Sequence, residues 1–232
     1  MKKSFKFICI YCTISLVLLS TILPLIFNTN AAFSAQHSPL KDKTILIDPG
    51  HGGIDGGTSS GNILEKNINL EASLILKTEL LRRGSKVIMT RDKDVSLENL
   101  CKDNDYRHRR DLKARVNIIN NNNIDAYISI HVNAVNNAPY VKGPMVFYSN
   151  TNINSKTLAS YVQDSLNAIA GTNRNPNVAD YFLLTNAKKT GILVELGFIT
   201  NNDDKNLLVN KDYLKKLSEG IAVGLEKYFE SK

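Results

Sequence analysis

Short apolar runs alternate with stretches of helical periodicity from residue 44 to residue 229, and this alternation is the strongest constraint on the fold. The apolar runs predict strands at Thr44–Asp48, Lys86–Thr90, Ala126–His131, Met145–Tyr148, Tyr181–Leu184 and Gly191–Glu195. Helical periodicity lies between and after them, at Glu65–Arg83, Arg109–Asn121, Ser155–Ala170 and Lys211–Phe229. Such alternation is typical of a sheet covered by helices on both faces. We therefore expect a single α/β domain with a mostly parallel, mixed sheet.

The composition agrees with a folded domain and excludes two other classes of protein. Of the 232 residues, 43% are hydrophobic and 22% are charged, which is far from the balance of a disordered chain. The formal charge is +7, but Lys2, Lys3 and Lys6 precede the first acid, Asp42. The excess of positive charge over the rest of the chain is therefore too small to indicate a nucleic-acid partner.

The amino-terminal segment predicts export. Residues 1–6 are basic and are expected to stay in the cytoplasm, and residues 7–27 are uncharged. That run is long enough to span the roughly 30 Å apolar core of a bilayer as an anchor or a signal segment. The sites for cleavage are imperfect, which favours an uncleaved anchor. With residues 28–42 as a linker, the folded domain at 43–232 is expected to lie outside the cytoplasm.

The three cysteines predict neither a disulfide framework nor a zinc-thiolate cluster. Cys9 and Cys12 lie in the apolar amino-terminal run, where they cannot reach Cys101. Cys101 lies in a charged stretch that predicts a solvated loop, and it is not expected to be a catalytic thiol.

Four titratable residues stand at predicted strand or helix ends, where open α/β sheets bind their ligands. His51 follows the first predicted strand, His131 and Glu195 close two later ones, and Glu65 opens a helix. Two imidazoles and a carboxylate are a known ligand set for catalytic zinc, and a second carboxylate can act as base. The pattern leaves two interpretations open, a zinc hydrolase and ordinary hydrogen-bonded histidines. The glycine-rich loop from Gly50 to Gly57 does not match the G-x-G-x-x-G spacing of nucleotide-binding proteins.

Residues 43–230 resemble the zinc-dependent N-acetylmuramoyl-L-alanine amidases of the Amidase_3 type, which remove stem peptides from bacterial peptidoglycan. The resemblance is carried by Ile47-Asp48-Pro49-Gly50-His51-Gly52-Gly53, Asp55-Gly56, Glu65-Lys66, Thr90-Arg91-Asp92, Leu112 with Arg115, Ser129-Ile130-His131-Val132-Asn133-Ala134 and Val194-Glu195-Leu196-Gly197-Phe198-Ile199-Thr200-Asn201. It implies one Zn²⁺ ion bound by His51, Glu65 and His131, with Glu195 as the catalytic base.

Three further residues are candidates for substrate binding. Arg91 and Arg115 are expected either to pair with peptide carboxylates or to brace acids such as Asp92 and Asp111. Asn133 lies two residues beyond His131, so it points to the same face if the strand continues. His108 lies in the basic run Arg107–Arg110, which predicts a solvated helix start and not a metal site.

The layout of one catalytic domain behind an apolar segment resembles the CwlD-type amidases of spore-forming bacteria. That resemblance implies removal of stem peptides during cortex synthesis, functionally coupled to a muramic acid deacetylase that produces muramic lactam. It also leaves room for an activating membrane protein or lipoprotein partner. Two alternatives remain open from the residues alone. One is another exported zinc peptidase of the cell wall, such as a carboxypeptidase, and the other is a non-catalytic, membrane-anchored wall-binding protein.

Overall fold

The computed structural model describes residues 38–232, which form one α/β domain around a six-stranded sheet. In chain order the strands are β1 (Thr44–Pro49), β2 (Ser59–Ser60), β3 (Ile63–Leu64), β4 (Lys86–Met89), β5 (Ala126–Asn133), β6 (Met145–Tyr148), β7 (Asn177–Val178) and β8 (Gly191–Phe198). The helices are α1 (Glu65–Arg82), α2 (Arg107–Asn121), α3 (Ile153–Ala170), α4 (Phe182–Asn186), α5 (Asn202–Leu208) and α6 (Lys211–Glu230), with a short 3-10 turn at Glu98–Leu100.

The sheet is mixed but mostly parallel, as the sequence predicts. Its strand order is β4-β1-β5-β8-β6-β7, with β2 and β3 forming a separate hairpin. Strands β4, β1, β5 and β8 are parallel, whereas β6 runs antiparallel to β8. The register pairs His131 of β5 with Glu195 of β8. Both side chains therefore reach the same edge of the sheet, at the carboxyl ends of the parallel strands.

Helices cover both faces of the sheet, and alternate residues of the central strands divide between two apolar clusters. Ile45 and Ile47 of β1 pack in the larger cluster, which also includes residues of α1, α3 and α6. Leu46 points the other way, into a cluster with Ile119 of α2 and Leu183 of α4. This period-two alternation is what a strand buried on both faces requires.

The predicted strand at Tyr181–Leu184 is wrong, because this segment forms the short helix α4. The edge of the sheet is instead the two-residue strand β7, which pairs with β6. Four consecutive apolar residues satisfy a buried strand and a buried helical turn equally well, so periodicity does not separate the two. The β2–β3 hairpin and α5 were also not predicted.

Two further features differ from expectation at the surface of the domain. Residues 38–42, the last part of the expected linker, pack on the domain, since Leu40 is fully buried and Asp42 donates its backbone N–H to Gly84. Cys101 is buried in a small cluster with Leu97, so the prediction of a solvated loop at this position is wrong.

Among residues 38–232, no helix combines the length and apolar character needed to cross a bilayer. The run at 7–27 lies outside the described residues.

Candidate active site

His51 is presented by a tight loop that follows the first strand. Gly50 continues the sheet by donating its N–H to Ile130 O at 2.9 Å, and His51 then adopts a φ of 60°. This left-handed conformation is unfavourable for a residue with a side chain. The Arg115 guanidinium donates to His51 O at 2.7 Å and so helps to hold the strained turn in place.

Glu65 is the first residue of α1, and its carboxylate is buried among hydrogen-bond donors. One oxygen accepts the backbone N–H of Thr58 at 2.8 Å. The other accepts the backbone N–H of Val132 at 3.1 Å and the side-chain amide of Asn69 at 3.2 Å. The start of a helix also favours a negative charge. These contacts fix the carboxylate between the loop of His51 and strand β5.

His131 lies across Gly50, and this close approach requires the glycine. A Cβ atom at residue 50 would lie 2.2 Å from Cε1 of His131, which is closer than two carbon atoms can approach. The His131 Nδ1 atom is 3.0 Å from Glu65 Oε1, and the His51 Nε2 atom is 3.2 Å from the same oxygen. One ligand atom from each of the three residues lies within 4.8 Å of the others.

The electrostatics of this cluster suit a cation. Burial alone would raise the pKa of Glu65, but hydrogen bonds and charge from His131 and His51 lower it further than burial raises it. Burial lowers the pKa of His51, but Glu65 and Asp55 outweigh it and raise that pKa to about 9. A carboxylate between two imidazoles thus stabilises positive charge at this point, and the donor set of two nitrogens and one oxygen fits a zinc ion.

Asp55 orients the first histidine. Its Oδ2 atom is 3.0 Å from His51 Nδ1, on the side of the ring opposite Glu65. Its other oxygen accepts the Gly57 N–H at 3.1 Å, which holds the carboxylate in the loop. The Nδ1 atom of His108 lies 3.6 Å from the same Oδ2 atom. A carboxylate behind a histidine ligand sets its tautomer and ring orientation.

Glu195 is buried and lacks a hydrogen-bond partner for one oxygen. Its Oε2 atom is inaccessible to solvent and meets no donor within residues 38–232. Burial, with a smaller contribution from the negative charge of Glu65, raises the pKa of Glu195 to about 8, and His51 partly opposes this. A buried carboxylate without a partner is costly to folding, so its presence indicates a chemical role.

His51, His131 and Glu195 line one cavity, which has a volume of about 270 Å³. Its lining includes His51, His131 and Glu195 on one side, His108, Asp111, Leu112 and Arg115 from α2, and Tyr181, Phe182 and Leu183 around the start of α4. The cavity therefore combines polar groups from the ligand loop, β8 and α2 with apolar side chains around the start of α4. Burial and the charge of Glu195 raise the pKa of Tyr181, so this ring lies close to the buried carboxylate.

Arg115 lies beneath the loop of His51 in a buried ionic network. Its guanidinium donates to Asp48 and to the carbonyl of Pro49, both at 2.7 Å, and to Asp111 at 2.6 Å. Asp48 also accepts the hydroxyls of Thr90 and Ser129. The pKa of Asp48 is lowered, because Arg115 and these hydroxyls outweigh the effect of burial. Arg115 thus pairs with Asp111, one of the acids that the sequence offers as its partner.

Arg91 also holds the backbone of this loop, whereas Asn133 lies apart from the cavity. The Arg91 guanidinium donates to the carbonyls of Pro49 and Gly50, at 2.9 and 2.8 Å, rather than to Asp92. The sheet register shifts between His131 and Asn133, so the two side chains do not follow simple strand alternation. The side-chain oxygen of Asn133 accepts the N–H of the next residue at 2.7 Å, and Asn133 does not line the cavity.

Sequence reasoning missed the roles of three residues near the ligands. Asn69 lies four residues after Glu65 on α1, and this helical spacing was a usable signal for their contact. Asp55 was noted only as part of a motif, because no local rule predicts which way a glycine-rich loop folds back. His108 was expected to be solvated, but it is half exposed at the wall of the cavity.

Comparisons with known proteins point to one family. Residues 45–227 match the sequence model of the family described as N-acetylmuramoyl-L-alanine amidase, Amidase_3. The chain is 35% identical over 209 residues to a germination-specific N-acetylmuramoyl-L-alanine amidase of Bacillus subtilis, covering 89% of this chain and 88% of that protein.

Solved structures agree with the sequence match. The CwlD amidase of Clostridioides difficile, solved in complex with the GerS lipoprotein, superposes with a TM-score of 0.76 at 34% identity, covering 82% of this chain and all of that one. An N-acetylmuramoyl-L-alanine amidase from Clostridium difficile 630 gives a TM-score of 0.72 at 31% identity, covering 83% of this chain and 99% of that one.

Proposed function

The chain belongs to the N-acetylmuramoyl-L-alanine amidase family and is an amidase of peptidoglycan, and we propose that His51, Glu65 and His131 bind one catalytic zinc ion while Glu195 is the base. The bond cut is the amide between N-acetylmuramic acid and the L-alanine of the stem peptide. One observation carries this proposal. Ligand atoms of the three residues converge within 4.8 Å, beside a buried carboxylate with an unpaired oxygen that lines the same cavity.

The donor set supports zinc as the cofactor. When bound to two imidazoles and a carboxylate, zinc lowers the pKa of a coordinated water toward about 7 and polarises a carbonyl oxygen. The chain supplies the rest of the centre. Asp55 holds His51 in the orientation that points Nε2 at the cluster, and Asn69 holds the Glu65 carboxylate.

Glu195 moves the proton. It takes a proton from the attacking water and delivers it to the L-alanine nitrogen as the C–N bond breaks, so the amine leaves in neutral form. A group with this task has to be ionised when the water attacks and has to release the proton again near neutral pH. Burial raises the pKa of Glu195 to about 8, and a cation held by the three neighbouring ligands would lower it and favour the ionised form that accepts the proton.

The arginines are assigned to positioning rather than to substrate binding. Arg115 and Arg91 are buried, and they donate to the backbone carbonyls of the loop that carries His51. Few of their N–H groups are free to meet a peptide carboxylate. Asn133 is assigned to the end of β5, because its side chain is turned to its own backbone.

We place the enzyme in the maturation of the spore cortex. The Bacillus subtilis relative is named as germination-specific, and the CwlD structure holds a lipoprotein. By analogy, this amidase removes stem peptides outside the cytoplasm, ahead of a muramic acid deacetylase that forms muramic lactam. Residues 7–27 provide the membrane anchor, and a lipoprotein serves as an activating partner.

The proposed reaction is tested by digesting purified peptidoglycan with the full-length protein, with and without a chelator. We expect intact stem peptides and peptide-free glycan as products, complete loss of activity with chelator, and recovery on adding zinc. Release of a terminal amino acid instead would indicate a carboxypeptidase. No product under any metal condition would indicate a non-catalytic wall-binding protein.

Asp55→Asn should weaken zinc binding without unfolding the protein. The amide preserves the shape of the carboxylate but removes its charge behind His51, and such a change costs about 10–100-fold in metal affinity. Competition against a chelator of known affinity measures the effect. Asp94→Asn is the matched control, because Asp94 caps the same loop through Gly53 and contacts Lys66 but touches no proposed ligand. Equal zinc affinity in the two variants would remove Asp55 from the metal centre.

A further inference from the structure

The basic run Arg107–Arg110, which the sequence alone presents as a solvated helix start, reaches the catalytic cavity through one side chain and packs against its wall through another. It occupies the first turn of α2, and His108 within it lines the cavity. The guanidinium carbon of Arg109 lies 3.9 Å from the centre of the Phe182 ring, and Phe182 also lines the cavity. The first turn of α2 therefore packs against the start of α4 beside the cavity.

Arg109 is held in position but has no acceptor. Stacking on Phe182 uses the flat face of the guanidinium and leaves its N–H donors at the edges. Within residues 38–232 Arg109 forms no ion pair within 4.0 Å and donates no side-chain hydrogen bond. The pKa of Asp105 is lowered mainly by Lys113, with a smaller contribution from the charge of Arg109. Arg110 and Arg115 differ, since Arg110 donates to Asp105 O and Arg115 pairs with Asp48 and Asp111. Arg107 also has a guanidinium nitrogen without a partner among residues 38–232, but that nitrogen is buried.

The charge of Arg109 favours an anion beside the cavity. Asp55 and Glu195 also line the cavity, and Glu65 belongs to the proposed zinc site, so the acids there are already matched to the histidines and the metal. Arg109 stacks on Phe182 at the wall of the cavity and keeps a planar fork of donors, the geometry that carboxylates bind in a bidentate manner. A rigid, partly buried arginine also loses less freedom on binding than a mobile surface side chain.

We propose that Arg109, stacked on Phe182, is a specificity-determining residue that binds a free carboxylate of the stem peptide. This inference rests on the proposed function, because it requires a peptide next to the scissile amide. The second stem residue is a glutamate linked through its side chain, so its α-carboxyl group is free unless the wall carries it as an amide. The enzyme therefore distinguishes free-acid stem peptides from amidated ones.

The test compares two soluble glycan fragments that differ only in this group, one with the α-carboxylate and one with the carboxamide. The full-length wild-type protein is expected to have the lower KM for the free acid. Arg109→Gln should raise the KM for the free acid by about tenfold, the scale of one lost charge-assisted contact, with kcat changed less than about twofold. Its KM for the amidated fragment should stay unchanged. Arg109→Lys, which keeps the charge but not the fork, should lie between the two.

Arg110→Gln is the matched control, because it removes the same charge one residue away without facing the Phe182 ring. It should leave both KM values unchanged. Equal effects of Arg109→Gln on the two fragments, or no effect on either, would overturn the subsite while leaving the amidase reaction intact. A wild-type protein that cuts neither fragment nor whole peptidoglycan would instead overturn the proposed function, and the subsite with it.

Discussion

Glu195→Gln is expected to lower kcat for amide hydrolysis by about 10²–10⁴-fold while zinc remains bound. The carboxamide keeps the size of the side chain but cannot accept a proton from water or return one to the leaving amine. Because Glu195 is buried with an unpaired oxygen, the neutral amide should also fold at least as stably as the wild type. Turnover on purified peptidoglycan, zinc content and thermal unfolding of the full-length protein measure the three consequences.

His131→Ala provides the contrast, because it removes a proposed ligand and should lose zinc and activity together. The separation of metal content from turnover is what identifies the role of each residue. If Glu195→Gln lost zinc as well, Glu195 would be a ligand and another group would have to act as base. If it kept both zinc and full turnover, Glu195 would have no part in the reaction.

The positions of the main site residues follow from the sequence because they depend on a general property of parallel sheets. Strands β1, β5 and β8 are neighbours with the same direction, so residues at their carboxyl ends meet at one edge. His51, His131 and Glu195 each follow or close such a strand. Their convergence needed only the correct assignment of three apolar runs, each long enough to be recognised.

The remaining features depend on contacts between distant segments, which local patterns do not encode. The run Tyr181–Leu184 is too short for its periodicity to distinguish a helix from a strand. It forms the helix α4, in which Leu183 and Leu184 are buried against the rest of the domain. Cys101 is buried because the 3-10 turn before it packs on α2, although its neighbours in sequence are charged. The contact of His108 with Asp55 likewise arises only when α2 lies beside the glycine-rich loop.

Arg115→Met is expected to lower the free energy of unfolding by about 3–5 kcal/mol, the scale for removing one partner of a buried ion pair. The change leaves Asp48 fully buried without its counter-charge, removes the side-chain donor to the His51 carbonyl and leaves the Pro49 carbonyl with Arg91 as its one side-chain donor among residues 38–232. Because His51 has a φ of 60°, loss of the bond to its carbonyl should also weaken zinc binding. Urea unfolding of the wild type and the variant, together with zinc titration, measures both effects. Lys113→Met on the same helix is the control, because Lys113 pairs only with acids near the surface.

The pH dependence separates this network from simple loss of packing. In the wild type the pKa of Asp48 is lowered, so its ionised form contributes stability above the unfolded pKa, and this contribution is lost as pH falls through the folded pKa. Without Arg115, burial dominates and raises the pKa of Asp48 above its unfolded value. At pH values where Asp48 is ionised in the unfolded chain, the folded variant must either bury an unpaired carboxylate or take up a proton, and this lowers its free energy of unfolding. At lower pH, where Asp48 is protonated more readily, the loss becomes smaller. The difference in the free energy of unfolding between wild type and variant should therefore narrow as pH falls from 7 toward 5. Adding Asp48→Asn to the Arg115→Met variant should recover part of the loss at pH 7. A difference that is constant with pH would assign the loss to packing of the Arg115 side chain rather than to its charge.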